Sequence, residues 1–103
     1  MVYVNELKLS GKVYSIKYNT IRGKLYTMLQ ILNDYTFVAD NGEMVVDTSY
    51  HRVFTSALKE NEITCGDWVM VEGRIRNERF LDEHDRVKLG VIIASNSIKR
   101  VNP

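Results

Sequence analysis

The chain has 103 residues, 45% of them hydrophobic, which suffices for one domain with a single modest core and leaves no room for a second. Its formal net charge of +1 excludes a uniformly basic nucleic-acid binder, yet the charges are segregated. Lys8, Lys12, Lys17, Arg22 and Lys24 face Glu6 alone over residues 1 to 33, and Arg86, Lys88, Lys99 and Arg100 face no acid over residues 86 to 103. Were the first and last strands neighbours in a closed barrel, these basic ends would merge into one positive surface. The lone Cys65 cannot form an internal disulfide and lacks metal-ligand spacing to any Cys or His, so neither metal nor cofactor is expected. The N-terminus has no secretory-signal pattern, and no apolar stretch approaches the ~20 residues that span a bilayer. A cytoplasmic protein without a membrane partner is expected.

In chain order, Val4 to Tyr18 reads as a strand in which Leu7, Leu9 and Val13 alternate with Lys8, Ser10 and Lys12. Tyr14, Ile16 and Tyr18 take the opposite parity, which predicts a bulge or bend at Gly11. A polar turn over Asn19 to Gly23 leads to a second strand, Lys24 to Asn33, with Leu25, Thr27, Leu29 and Ile31 on one face and Tyr26, Met28, Gln30 and Leu32 on the other. Asp34 to Glu43 is a hairpin reversing at Asn41-Gly42, and Met44 to Phe54 is the third strand. Thr55 to Asn61 carries helix-forming residues behind a Thr cap, predicting one short helix. The fourth strand follows, then the acidic tip Asp82-Glu83-His84-Asp85, then a Val- and Ile-rich fifth strand from Arg86 to Val101. The expected fold is all-β: a five-stranded Greek-key barrel of the OB type, with one short helix between strands 3 and 4, spanning residues 1–103 as one domain without a linker.

The fourth strand, Cys65 to Phe80, carries the functional signal. Val69, Val71 and Ile75 form a predicted core face with Gly73, while Trp68, Met70, Glu72, Arg74, Arg76 and Phe80 fall on the other. Two guanidiniums and a ring on one surface suit a single-stranded nucleic acid, whose phosphates need cations and whose unpaired bases need flat rings. A solvated strand face with surface arginines would read the same way.

Several segments resemble the bacterial single-stranded DNA-binding protein (SSB) family. These are Asn5-Glu6-Leu7-Lys8-Leu9-Ser10-Gly11, Gly42-Glu43-Met44, Thr48-Ser49-Tyr50-His51-Arg52-Val53, Gly66-Asp67 with Val71-Glu72-Gly73-Arg74, and Val91 to Ile98, in the family's order. The resemblance implies sequence-independent binding and protection of single-stranded DNA in replication, recombination or repair by a homo-oligomer, usually a tetramer, with a dimer as second choice. Tyr50 stands at the family's stacking tryptophan, and Phe80, seven residues after Gly73, at its hairpin aromatic. Tyr35 or Phe37 stands near a further aromatic position, and Phe54 or Ser56 near another. Lys8, Lys12, Arg52, Arg74, Arg76 and Lys88 are the expected phosphate contacts, and Trp68, Met70 and His51 the expected oligomer interface.

The chain departs from the family in three places. Phe54 to Gly66 is shorter than usual, and the acidic tip would repel phosphate unless it points away. It stops at Asn102-Pro103 without the family's flexible tail and acidic end, so tail-mediated replication partners are not expected. A phage or mobile-element member, a primosomal replication protein of the same fold, or a truncated piece of a longer chain fits this pattern.

Catalysis is not expected. His51 lies within a strand and His84 in an acidic turn, four adjacent residues at 82 to 85 cannot all converge on one ion, and no nucleophile elbow, phosphate loop or Cys/His pair is present. The competing class is a protein-interaction module that binds no DNA, using Trp68, Met70 and Tyr26 as an exposed apolar patch.

Overall fold

The computed structural model describes residues 3–102. Its elements are β1 (Leu7–Ile21), β2 (Lys24–Val38), β3 (Met44–Thr55), β4 (Trp68–Leu81) and β5 (Val87–Arg100). They close into a barrel in the order β1-β2-β3-β5-β4, antiparallel except for the parallel β3–β5 contact at Val53–Thr55. The predicted five-stranded OB barrel is therefore the observed one. Because β4 lies between β1 and β5, the basic ends of the chain do not merge as the neighbouring-strand arrangement would have allowed.

Period-2 alternation fills the core. Val13, Leu29, Ile31, Val53, Val69 and Val71 point inward with 2% exposure or less, joined by Ile93 and Ile98. The phase change in β1 occurs at a bulge between Val13 and Ser15, at Tyr14 rather than at the predicted Gly11. Gly11 has a different task, since a Cβ there would overlap the Leu32 carbonyl oxygen where β1 crosses β2.

Among the described residues there is no helix. Thr55 belongs to β3, and residues 56–67 are turns that drop Leu58 and Ile63 into the core as a plug. Side chains take the bonds a short helix would have made for itself. The Thr55 hydroxyl accepts from the Ala57 N–H (3.0 Å), Glu62 accepts from the Lys59 N–H (2.9 Å), and Tyr18 accepts from the Asn61 N–H (3.1 Å) while donating to the Ile63 carbonyl (3.1 Å). A segment this short cannot offset the nucleation cost of a helix, so side-chain capping wins.

Two strand pairs outrun the barrel. Pairing of β1 with β4 ends at Leu7↔Gly73 and with β2 at Lys12↔Leu32, so everything further along β4–β5 and β2–β3 forms two-stranded ribbons. Both β2 and β4 run antiparallel to β1, so both ribbons leave by the same end. The β4 phase predicted Ile75 as core. It keeps that phase but lies past the rim and is 52% exposed. Leu81, Val87, Leu89 and Val91 share this ribbon face by register and are likewise exposed.

Both ribbons close with the same turn. Ala39 donates to the Glu43 carbonyl and Gly42 to the Ala39 carbonyl; Asp82 donates to the Arg86 carbonyl and Asp85 to the Asp82 carbonyl. Gly42 and Asp85 occupy the positive-φ station at 84° and 57°. The acidic tip is thus partly structural: Asp82 Oδ1 accepts from the N–H groups of His84 and Arg86, and Lys88 lies 3.8 Å from its Oδ2.

Candidate nucleic-acid interface

The outer face of β3 carries Tyr50, Arg52 and Phe54 at every second position, opposite the inward Val53 and Thr55. Across the ladder these three meet Leu32, Gln30 and Met28 of β2. On the far side, register places Arg74, Arg76, Glu78 and Phe80 of β4 with Ala94, Ile92, Gly90 and Lys88 of β5 on one ribbon face. The expected contacts Arg74, Arg76, Phe80 and Lys88 therefore share a surface, and side-chain contacts tie it to β3.

Two of those contacts are specific. Arg52 Nη1 reaches Glu78 Oε2 at 2.6 Å, with a second bond at 3.3 Å. The Arg76 guanidinium sits 5.7 Å from the centre of the Phe54 ring. Phe54 in turn stacks on Tyr26 (5.2 Å, 18°), and the Lys24 amine lies 5.6 Å from the Tyr26 ring centre. The result is a row, Lys24–Tyr26–Phe54–Arg76, spanning β2, β3 and β4, in which cations cap an aromatic pair. Ile92, opposite Arg76 in the ladder, is 2% exposed although it lies outside the barrel core cluster. The outer face thus has its own small buried footing.

Tyr50 is 56% exposed and meets Tyr14 edge-to-face at 5.3 Å. Phe80 is 42% exposed, and its ring lies across Gly90, where a Cβ would stand 3.2 Å from the ring edge. Both rings are held yet open to solvent. Lys12 joins the Tyr50 side through Leu32, its ladder partner.

Other expected residues fall elsewhere. Tyr35 and Phe37 stack on each other at 6.0 Å, but in the core phase of the β2–β3 ribbon, the face opposite Tyr50. The Tyr35 hydroxyl donates to Asp47 Oδ2 at 2.7 Å, and that bond to a carboxylate raises the phenol pKa. Lys8 does stay near Arg74, with which it lines one concavity on the outer face, but it lies 3.9 Å from Glu72. Trp68 and Met70 share the outer face of β4 next to β1, whereas His51 has the core phase of β3 opposite Ile31, so the three do not make one patch. Tyr26 is likewise remote from Trp68, as β1 pairs Asn19 with the first and Lys12 with the second. Sequence reading missed Tyr14, Lys24 and the stacking role of Tyr26. Alternation gave the face of Tyr26, but it grouped Tyr14 with Ile16 and Tyr18, whereas the bulge between Val13 and Ser15 turns Tyr14 out against Tyr50.

Among the described residues no group of three or more His, Cys, Asp or Glu side chains could hold a metal ion, and no helix is long and apolar enough to cross a membrane.

No protein-family model and no curated protein matches the sequence. Solved structures do. The Plasmodium falciparum SSB in complex with single-stranded DNA superposes with a TM-score of 0.86 at 15% identity, covering 99% of this chain and 98% of that one. A deletion mutant of the Thermus aquaticus single-stranded DNA-binding protein gives 0.82 at 18% identity, over 96% of this chain and 51% of that one. A small single-stranded DNA-binding protein from Streptomyces coelicolor gives 0.70 at 12%, over 93% of each. At these identities the likeness is one of architecture: the protein has the OB fold of the SSB type.

Proposed function

We propose that this protein binds single-stranded DNA without sequence preference and without catalysis. The observation that carries the reading is the outer face of β3, β5 and β4, where rings (Tyr50, Phe54, Phe80) alternate with cations (Arg52, Arg74, Arg76, Lys88) over two joined strand pairs. Cations neutralise the backbone while rings stack on bases of any identity, which gives affinity without readout. The fold-level likeness to an SSB solved with single-stranded DNA supports the same reading. Tyr50 and Phe80 are the stacking rings, Arg74, Arg76, Lys88 and Lys12 the phosphate contacts, and Phe54 the support that orients Arg76. The setting is DNA replication, recombination or repair in the cytoplasm.

A homo-oligomer, with the tetramer preferred over the dimer, is supported by the apolar strip on the opposite face of the β4–β5 ribbon. Ile75, Leu81, Val87, Leu89 and Val91 all stand in core phase with no core to enter.

Titration with oligo-dT at low salt, followed by quenching of the Tyr and Trp fluorescence, tests the binding. Saturable quenching that weakens as salt rises is expected. Absence of quenching at low salt would favour an interaction module.

A further inference from the structure

At the end of the Lys24–Tyr26–Phe54–Arg76 row, next to the β1–β2 hairpin, lies a groove of about 300 Å³. Lys17, Asn19 and Ile21 of β1, Tyr26 and Met28 of β2 and Phe54 of β3 line it. Register makes these contiguous, since Lys17 pairs with Met28, Asn19 with Tyr26 and Met28 with Phe54. Its walls are apolar and aromatic. Its one charged lining group is the Lys17 amine, beside the Asn19 amide and the tyrosines Tyr26 and Tyr18, the last with its hydroxyl already taken by Ile63 and Asn61; no carboxylate lines it, and among the described residues neither the Lys17 nor the Asn19 side chain has a hydrogen-bond or ion-pair partner. The other large concavity differs. Lys8 and Arg74 line it together with Glu6 and Glu72, so its charges cancel.

We propose that this groove seats one unpaired nucleobase of the bound strand, with Lys17 on the adjoining phosphate, so that the strand runs from Arg76 past Phe54 towards the β1–β2 hairpin. The inference rests on the single-strand-binding reading above and adds a segment to the path. A volume at the small end of ligand sites accommodates one base rather than two. A base presents a flat apolar face to Met28, Ile21 and the two rings, and an edge of donors and acceptors that the Asn19 amide can complement, as it both donates and accepts. Lys17 supplies a compact cation without competing for the base edge. The row of rings makes the groove continuous with the Arg76 surface, so no gap in the path is required.

The test measures affinity for oligo-dT of graded lengths with the parent, Lys17→Glu and Asn19→Ala. Both side chains lie on the outer barrel face, and thermal melts check folding. Expected for both variants is a loss on the order of tenfold for long oligonucleotides, with unchanged affinity for the shortest that bind, so that affinity levels off about one nucleotide sooner. In the parent, 5-iodouracil within the bound strand should photocrosslink to Tyr26 or Met28. If the parent binds but both variants superimpose on it at every length and no such crosslink forms, the groove lies off the strand, as it would if it seated a protein side chain, and the proposal fails. A parent that binds no oligonucleotide overturns the functional reading itself.

Discussion

Arg76 of β4 lies with its guanidinium 5.7 Å from the centre of the Phe54 ring on β3, a strand with which β4 makes no ladder. The contact bridges over β5 and joins the ribbon to the barrel wall. It holds a cation at the surface without neutralising it, as an aromatic quadrupole attracts a cation but leaves its hydrogen-bond donors free. Arg52, one rung away on β3, is neutralised by Glu78.

These two arginines should behave differently. Arg76→Ala should weaken binding to all oligonucleotides alike and flatten the salt dependence by about 0.7 per lost contact. Glu78→Gln should do the reverse, tightening binding and steepening the slope, because it frees Arg52. Affinities measured across a salt series check both; an unchanged slope in Glu78→Gln would show that Arg52 does not touch phosphate.

Stacking should separate from charge. Tyr50→Ala and Phe80→Ala each remove a ring contributing on the order of 1 to 3 kcal/mol, so affinity should fall roughly ten- to hundredfold with little change in salt slope. Oligo-dT titration of folded variants decides it. A Tyr50→Ala variant that binds like the parent would confine that ring to its contact with Tyr14.

Leu89→Asp and Val91→Glu place charge on the apolar ribbon face, where nothing in the described chain covers them. The mass measured by light scattering at micromolar protein should fall from the parent oligomer towards the monomer. A parent already monomeric would remove the argument for assembly.

Arg22 sits at φ 52° beside Gly23 at 79° in the two-residue turn between β1 and β2. Both stations demand positive φ, which costs a long side chain about 1 kcal/mol and which Asn adopts more readily. Arg22→Asn should therefore raise the melting temperature by roughly 4 to 8 °C per kcal/mol gained. Calorimetry checks this.

Asp67 accepts from the Thr64 N–H at 3.0 Å and meets Arg100 at 3.1 Å, bonds that together hold its carboxyl below the ordinary carboxylate value despite some desolvation. The folded state thus favours the ionised form. Its stabilisation is present above the unfolded carboxyl pKa, about 4, and is lost as pH falls through the lower folded value. Asp67→Asn should lower stability at pH 7 and shrink the loss that sets in as pH falls below the ordinary carboxylate value of about 4, read from denaturant midpoints at each pH.

Much of this molecule follows from local pattern. Alternation with period 2 identifies Val13, Leu29, Ile31, Val69 and Val71 as core, because a strand in a barrel wall has one wet face and one dry one. The same pattern places Arg76 and Phe80 on the outer face of β4, and the parity change in β1 announces its bulge, whereas β3 is as apolar at its even positions as at its odd ones and only closure turns Val53 inward and Tyr50 and Phe54 outward. Tertiary structure alone decided the rest. Phase says which way a side chain points but not whether anything lies opposite it, so Ile75, Tyr35 and Phe37 carry core phase into ribbons that have left the barrel. Helix propensity at residues 55 to 61 yields to bonds from Thr55, Glu62 and Tyr18, one of which comes from a strand distant in sequence. The Lys24–Tyr26–Phe54–Arg76 row exists only because closure lays β5 beside β3 and thereby swings β4 over it, a long-range event that no window of the sequence contains.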